Sequence, residues 1–135
     1  MTTTKSRTIT LTDRPPVRIA DTEWPLVAFG AGSEDDSDGR GNPANRTTTR
    51  ELRVRRHSDG RAIVYGIYDH STCHQGERDH AARRGVLLEP SVGWQAIIDA
   101  IRVIGRQLAE AEGEAEAEWH KAMQSCIADL PAEEL

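Results

Sequence analysis

The sequence is short of the groups that staple, span or catalyse. Only two cysteines occur, Cys73 and Cys126, far apart and in different kinds of segment. A disulfide framework is therefore not expected, and a reducing cytoplasm is the natural compartment. Aromatic residues are scarce: one Phe, two Tyr and three Trp in 135 residues, so the core must be built mainly of Ile, Leu, Val and Ala. No run approaches 18 apolar residues, which argues against a membrane span. The N-terminal stretch Met1-Thr2-Thr3-Thr4-Lys5-Ser6 lacks the apolar h-region of a secretory signal, and the C-terminal residues carry no lipidation signal. Gly-x-Ser-x-Gly, phosphate-binding glycine loops and His-Glu-x-x-His are all missing, so the common hydrolase, nucleotide-binding and zinc-protease signatures are excluded. There are no internal repeats.

What is present is a charged chain of a length that suits one domain over 1–135. Charged residues make up 29% and the formal net charge is −5. The charge is divided unevenly. Residues 40–84 hold ten Arg against five acids, a balance of +5; the remainder has a balance of −10. Such asymmetry speaks of surfaces and partners, not of fold.

The central stretch, 49–69, reads as a β-hairpin around Ser58-Asp59-Gly60-Arg61, because Asp-Gly between strand-like runs is a strong hairpin signal. A two-residue Asp59-Gly60 turn pairs Val54 with Tyr65 and Leu52 with Ile67. Leu52, Val54, Ile63, Tyr65 and Ile67 then share one apolar face, and Arg53, Arg55 and His57 lie opposite with Ala62, Val64 and Tyr68. A three-residue Ser-Asp-Gly loop with a bulge pairs Val54 with Val64 instead and turns Ala62 and Val64 to the core.

Before the hairpin, Thr8-Ile9-Thr10-Leu11 alternates as a strand with Ile9 and Leu11 buried, Asp13-Arg14-Pro15-Pro16 turns, and Val17 and Ile19 restart the alternation. The run Trp24-Pro25-Leu26-Val27-Ala28-Phe29 suits an edge strand, with Pro25 at its start and Trp24 as an anchor. Residues 30–46 are almost without apolar content and read as a long flexible loop. After the hairpin, 70–84 is a polar connection, and Gly85-Val86-Leu87-Leu88 a short last strand. The period then becomes helical over 91–130. Ser91 is the expected N-cap, Trp94, Ile97, Ile98, Ile101, Ile104 and Leu108 form one stripe, and Trp119, Met123, Cys126, Ile127 and Leu130 a second, with a break near Gly113. The predicted architecture is α+β: an antiparallel sheet of four to five strands around the hairpin, packed on one face by a C-terminal antiparallel helix pair.

Three constellations carry chemistry. In the polar connection, His70, Cys73, His74 and His80 are weak metal candidates, since soft sulfur and imidazole lie close in sequence but no second Cys/His pair stands at zinc-finger distance. The same Cys73 beside histidines supplies the groups of a thiol enzyme. Arg46, Arg50, Arg53, Arg55, Arg56, Arg61, Arg78, Arg83 and Arg84 are available for a basic nucleic-acid patch, although only Tyr65 and Tyr68 interleave. The opposite sign concentrates at 109–118, where Glu110, Glu112, Glu114, Glu116 and Glu118 form a high-propensity acidic joint that would suit a basic partner.

Several phrases together carry a resemblance: Thr8-Ile9-Thr10-Leu11-Thr12-Asp13 with Trp24-Pro25, Gly60-Arg61-Ala62-Ile63-Val64-Tyr65, Arg84-Gly85-Val86-Leu87-Leu88, and Cys126-Ile127-Ala128-Asp129-Leu130-Pro131. The chain resembles the small uncharacterised accessory proteins of proteobacterial prophages and conjugative elements. The resemblance implies a mobile-element product acting in a bacterial cytoplasm, in a class whose members often block a host defence complex. The leading expectation is thus a non-enzymatic, cofactor-free inhibitor of a host protein or nucleoprotein complex such as CRISPR interference. It would bind through charged surfaces: Arg53, Arg55, Arg56 and Arg61 on one side, Glu112, Glu114, Glu116 and Glu118 on the other. The alternatives are a nucleic-acid regulator using the hairpin arginines and a metal- or thiol-dependent enzyme at Cys73.

Overall fold

The computed structural model describes residues 5–32, 34–36, 46–72, 79–90, 93–113 and 115–131. Among them the chain forms two antiparallel sheets and two helices, the α+β arrangement expected. Strands β1 (Ser6–Ile9) and β2 (Val17–Ala20) make a two-stranded sheet. The main sheet has the order β3 (Leu26–Ala31), β5 (Arg46–Arg56), β6 (Ala62–Thr72), β7 (His80–Leu88), and β4 (Glu34–Asp36) continues the β3 edge along β5. Helices α1 (Trp94–Glu112) and α2 (Glu116–Asp129) run antiparallel across one face of it, α1 over β6 and β7, α2 over β3 and β5. The break between them falls at Gly113, as its lack of helix propensity suggests.

The hairpin takes the bulged register, not the two-residue turn. Val54 pairs with Val64, Leu52 with Gly66 and Arg53 with Tyr65. The His57 N–H donates to the Arg61 carbonyl and the Gly60 N–H to the His57 carbonyl, both at 2.9 Å, so Ser58, Asp59 and Gly60 form a three-residue loop. Gly60 sits at φ +98°, a conformation other residues rarely adopt. The Asp59 carboxylate closes the loop by accepting from the Arg61 backbone N–H at 2.9 Å and its Nε at 2.8 Å. This register corrects the expected core face. Leu52, Val54, Ala62, Val64 and Tyr68 face the helices, with Ile97, Ile101, Ile104, Leu108, Trp119, Ala122 and Cys126 closing over them.

Ile63 and Tyr65 point the other way and are nevertheless buried, because the β1–β2 sheet lies on that face. Ile9, Leu11, Ile19 and Trp24 enclose them, with Val17 and Leu87 at the margin. The expected single covered face is thus two, and the face bearing Arg53 and Arg55 is roofed along much of its length.

Element boundaries differ in three places. Strand structure reaches Ala31 and resumes at 34–36 and 46, inside the loop expected over 30–46, while 33 and 37–45 lie outside the described residues. Within the polar connection expected over 70–84, β6 runs to Thr72 and β7 begins at His80, while 73–78 lie outside the described residues. His70 pairs with His80, Ser71 and Thr72 pair with β5, and 81–84 pair with 66–69, so these residues gain ladder hydrogen bonds that no apolar alternation announces. The expected N-cap, Ser91, lies outside the described residues; α1 starts at Trp94 with Gly93 as its N-cap and no side-chain cap.

Candidate interaction surface

The residues expected to meet a partner are mostly engaged inside the protein. Arg55 is only 5% exposed. Its Nε donates to the Tyr65 hydroxyl at 2.8 Å and its Nη1 to the Trp24 carbonyl at 3.0 Å, with Asp21 at 3.7 Å. Arg7 clamps the same Asp21 in a bidentate pair at 2.6 and 2.8 Å. The Arg7 hydrogen bond holds the Asp21 carboxyl below its usual range. This cluster therefore ties the small sheet to the large one and holds Arg55 away from the surface.

The other hairpin arginines lie on rings and acids. Arg53 sits 5.0 Å above the Phe29 ring and pairs with Glu51 at 3.0 Å, leaving its buried Nε without a partner among the described residues. Arg56 lies 4.8 Å over Trp94, and Arg61 lies 5.0 Å over Trp24 while pairing with Asp59. Arg50 is buried and pairs with Glu112, donates to the Gly32 carbonyl at 3.0 Å, and shares Glu112 with the Trp119 Nε1–H at 2.8 Å. Burial raises the pKa of neighbouring Tyr68, and the Glu112 charge adds to it. Glu112 is thus a fastening between sheet and helices, not a surface acid. Of the acidic joint, Glu110 and Glu116 are exposed, Glu118 is half-buried, and Glu114 lies outside the described residues. The sequence shows charge but not the partner each charge finds, which is why these residues read as surface.

Of the metal candidates, His70 and His80 are brought together as cross-strand partners with ring centroids 6.4 Å apart. His70 Nδ1 lies 3.0 Å from the Thr48 hydroxyl. Cys73 and His74 lie outside the described residues, and among the described residues no three His, Cys, Asp or Glu side chains are grouped to hold a metal. Cys126 is fully buried on α2, and burial pushes its thiol up to about 12.

The surface that sequence reasoning missed runs along the outer edge of β7. A groove of about 530 Å³ opens there between β7, α1 and residues 11–14. Its apolar walls are Val86 and Leu88 on the strand and Ala96, Ala100, Val103 and Ile104 on the helix. Val103 is 48% exposed, one of two large hydrophobic side chains so exposed among the described residues. Thr12 closes one end: its N–H donates to the Gly85 carbonyl at 2.8 Å, its hydroxyl accepts from the Gly85 N–H at 3.2 Å and meets Gln107 Oε1 at 3.2 Å. Asp13, Arg14, Glu89 and Asp99 form the rim. A signal was present in the sequence. Ala96, Ala100, Val103 and Gln107 follow helical spacing on the flank of the main stripe, and Val103 is an aliphatic residue beside Arg102.

No family model matches the chain, and no curated protein or solved structure matches it significantly. No helix among the described residues is long and apolar enough to cross a membrane.

Proposed function

We propose that this is a binding protein of a mobile element that acts in a bacterial cytoplasm by occupying a component of a host defence complex, such as CRISPR interference. The observation that carries this reading is the groove beside β7, where an apolar floor with half-exposed Val103 is ringed by charged side chains. An apolar patch rimmed by polar residues is what a protein contact requires. The uneven charge supports the same reading, since Glu110 and Glu116 stand exposed at the far end of the helix pair. The nucleic-acid reading has less to rest on: Arg50 and Arg55 are buried, and Arg53, Arg56 and Arg61 are stacked or ion-paired.

The test is a plasmid-interference assay in a proteobacterial host with active CRISPR immunity. Expression of the protein should restore transformation by a targeted plasmid and should co-purify a defence subunit in fixed ratio. Full interference at high expression, with no stoichiometric partner, would refute the proposal.

A further inference from the structure

The open edge of β7 defines what kind of segment fits the groove. In an antiparallel sheet, the N–H and C=O of alternate residues of an edge strand point away from the neighbouring strand. Both backbone groups of Gly85 point outward to Thr12. By alternation, those of Arg83 and Leu87 point outward too. The Arg83 carbonyl accepts from Arg84 Nη1 at 2.9 Å, so that position is covered locally. Leu87 has no backbone partner on its outer side among the described residues, and it lines the apolar groove. Of these three outward positions Gly85 has both backbone groups taken and Arg83 its carbonyl, while Leu87 lines the groove together with Val103 and Ala100 of α1. Thr12, in a bend, shows that a backbone N–H from outside the sheet reaches this edge.

The rim sets the charge of the occupant. Asp13, Glu89 and Asp99 carry three negative charges there against one positive charge on Arg14. Arg102 approaches Asp99 only to 3.9 Å and both are well exposed, so that pair neutralises little.

Resting on the protein-binding reading above, we propose that a short extended segment of a partner protein adds to the β7 edge at Leu87. Its backbone takes up the Leu87 N–H and C=O, an apolar side chain enters the groove against Leu88, Ala100 and Val103, and flanking basic side chains meet Asp13, Glu89 and Asp99. This is strand addition at a protected edge, with main-chain hydrogen bonds giving affinity and the groove giving selectivity. Because Thr12 closes the Gly85 end and β7 ends at Leu88, only a short segment fits, each of its residues spanning roughly 3.3 Å.

The experiment titrates the isotopically labelled full chain with a blocked pentapeptide of alternating lysine and valine, followed by amide and methyl NMR. Shifts should cluster at Leu87, Glu89, Ala100 and Val103, and the Leu87 amide should exchange with solvent at least tenfold more slowly. The double variant Glu89→Lys/Asp99→Lys alters only exposed side chains and should weaken binding tenfold or more. Leu87→Pro removes the outward N–H but no β6–β7 ladder bond, and should abolish the response where circular dichroism shows the fold kept. Four results overturn the proposal: no shifts at millimolar peptide, an equal response to a glutamate–valine peptide, shifts centred on Phe29 and Ile67, or concentration-dependent shifts at Leu87 without peptide, which would make a second copy the occupant. The two readings fail separately. If Glu89→Lys/Asp99→Lys blocks interference as well as the unaltered protein, this site is wrong and the function stands. If peptide binds as described but interference is untouched, the function is wrong and the site stands.

Discussion

The two sides of the helix–sheet sandwich are built differently. On the β3 side the helix sits directly on the strand. A Cβ at Gly30 would collide with the Ala122 carbonyl and the Cys126 amide, so only glycine allows α2 to approach this closely. The Asp129 carboxylate accepts the Phe29 N–H at 2.8 Å, and Trp119, Ala122 and Cys126 are wholly buried. On the β7 side, α1 turns its main stripe inward and presents Ala96, Ala100, Val103 and the margin of Ile104 as its apolar side chains toward the edge, and Val86 and Leu88 stay half-buried. What differs is backbone distance and the size of the side chains that could bridge it. The closed side is where stability resides, and the open side is where an interaction costs no refolding.

The sharpest way to break the contrast is Trp119→Ala. It empties a fully buried indole site and removes the donor to Glu112, so unfolding free energy should fall by about 3–5 kcal/mol, read from urea denaturation. Next is Glu112→Gln. It leaves the Arg50 guanidinium buried without its carboxylate partner, with a loss of about 3 kcal/mol. A loss below about 1 kcal/mol in Trp119→Ala would mean that α2 is not the seal described, and the same result in Glu112→Gln that the Arg50 pair does not fasten the end of α1 to the sheet.

The helices and the α+β class were legible in the sequence, because a 3.6-residue period with one apolar stripe has a single solution on a sheet. The hairpin was legible too, but its register was not. Period-two reasoning separates faces only when one of them is wet. Here Ala62, Ile63, Val64 and Tyr65 are all buried, two toward the helices and two beneath β1 and β2, so either register satisfies the pattern. The turn decides it, through Gly60 and the Asp59–Arg61 closure, and Asp-Gly serves two- and three-residue loops alike. Arg50 and Arg55 were misread for a related reason. Burial of a guanidinium depends on Glu112 and Tyr65 arriving from distant segments, which local composition does not contain.

A smaller effect distinguishes the sheet's two covers. The helical cover is mainly apolar, whereas the β1–β2 cover also leans on Asp21 with Arg7 and Arg55. The folded Asp21 carboxyl lies below its usual range, chiefly through the Arg7 hydrogen bond. Its contribution to stability is therefore complete above the unfolded aspartate value of about 3.9 and is lost as pH falls through the lower folded value. Asp59, lowered by the Arg61 backbone N–H, acts in the same direction. The melting temperature should drop as the pH is taken below about 4, and Asp21→Asn should be less stable at neutral pH with a flatter acid limb. An unchanged acid limb in Asp21→Asn would remove the ion pair from the account.

The smallest expected effect tests the open side directly. Val103 is 48% exposed on a helix, so Val103→Ala gives up partial burial of two methyl groups and gains helix propensity. These terms oppose one another at similar size, and the net change in unfolding free energy should stay within about 0.5 kcal/mol. The same substitution removes the apolar wall that faces Leu88 across the groove, so partner binding should weaken while the urea midpoint stays fixed. A loss of 2 kcal/mol or more would instead mean that Val103 is packed as tightly as Trp119, and the two sides would no longer be different in kind.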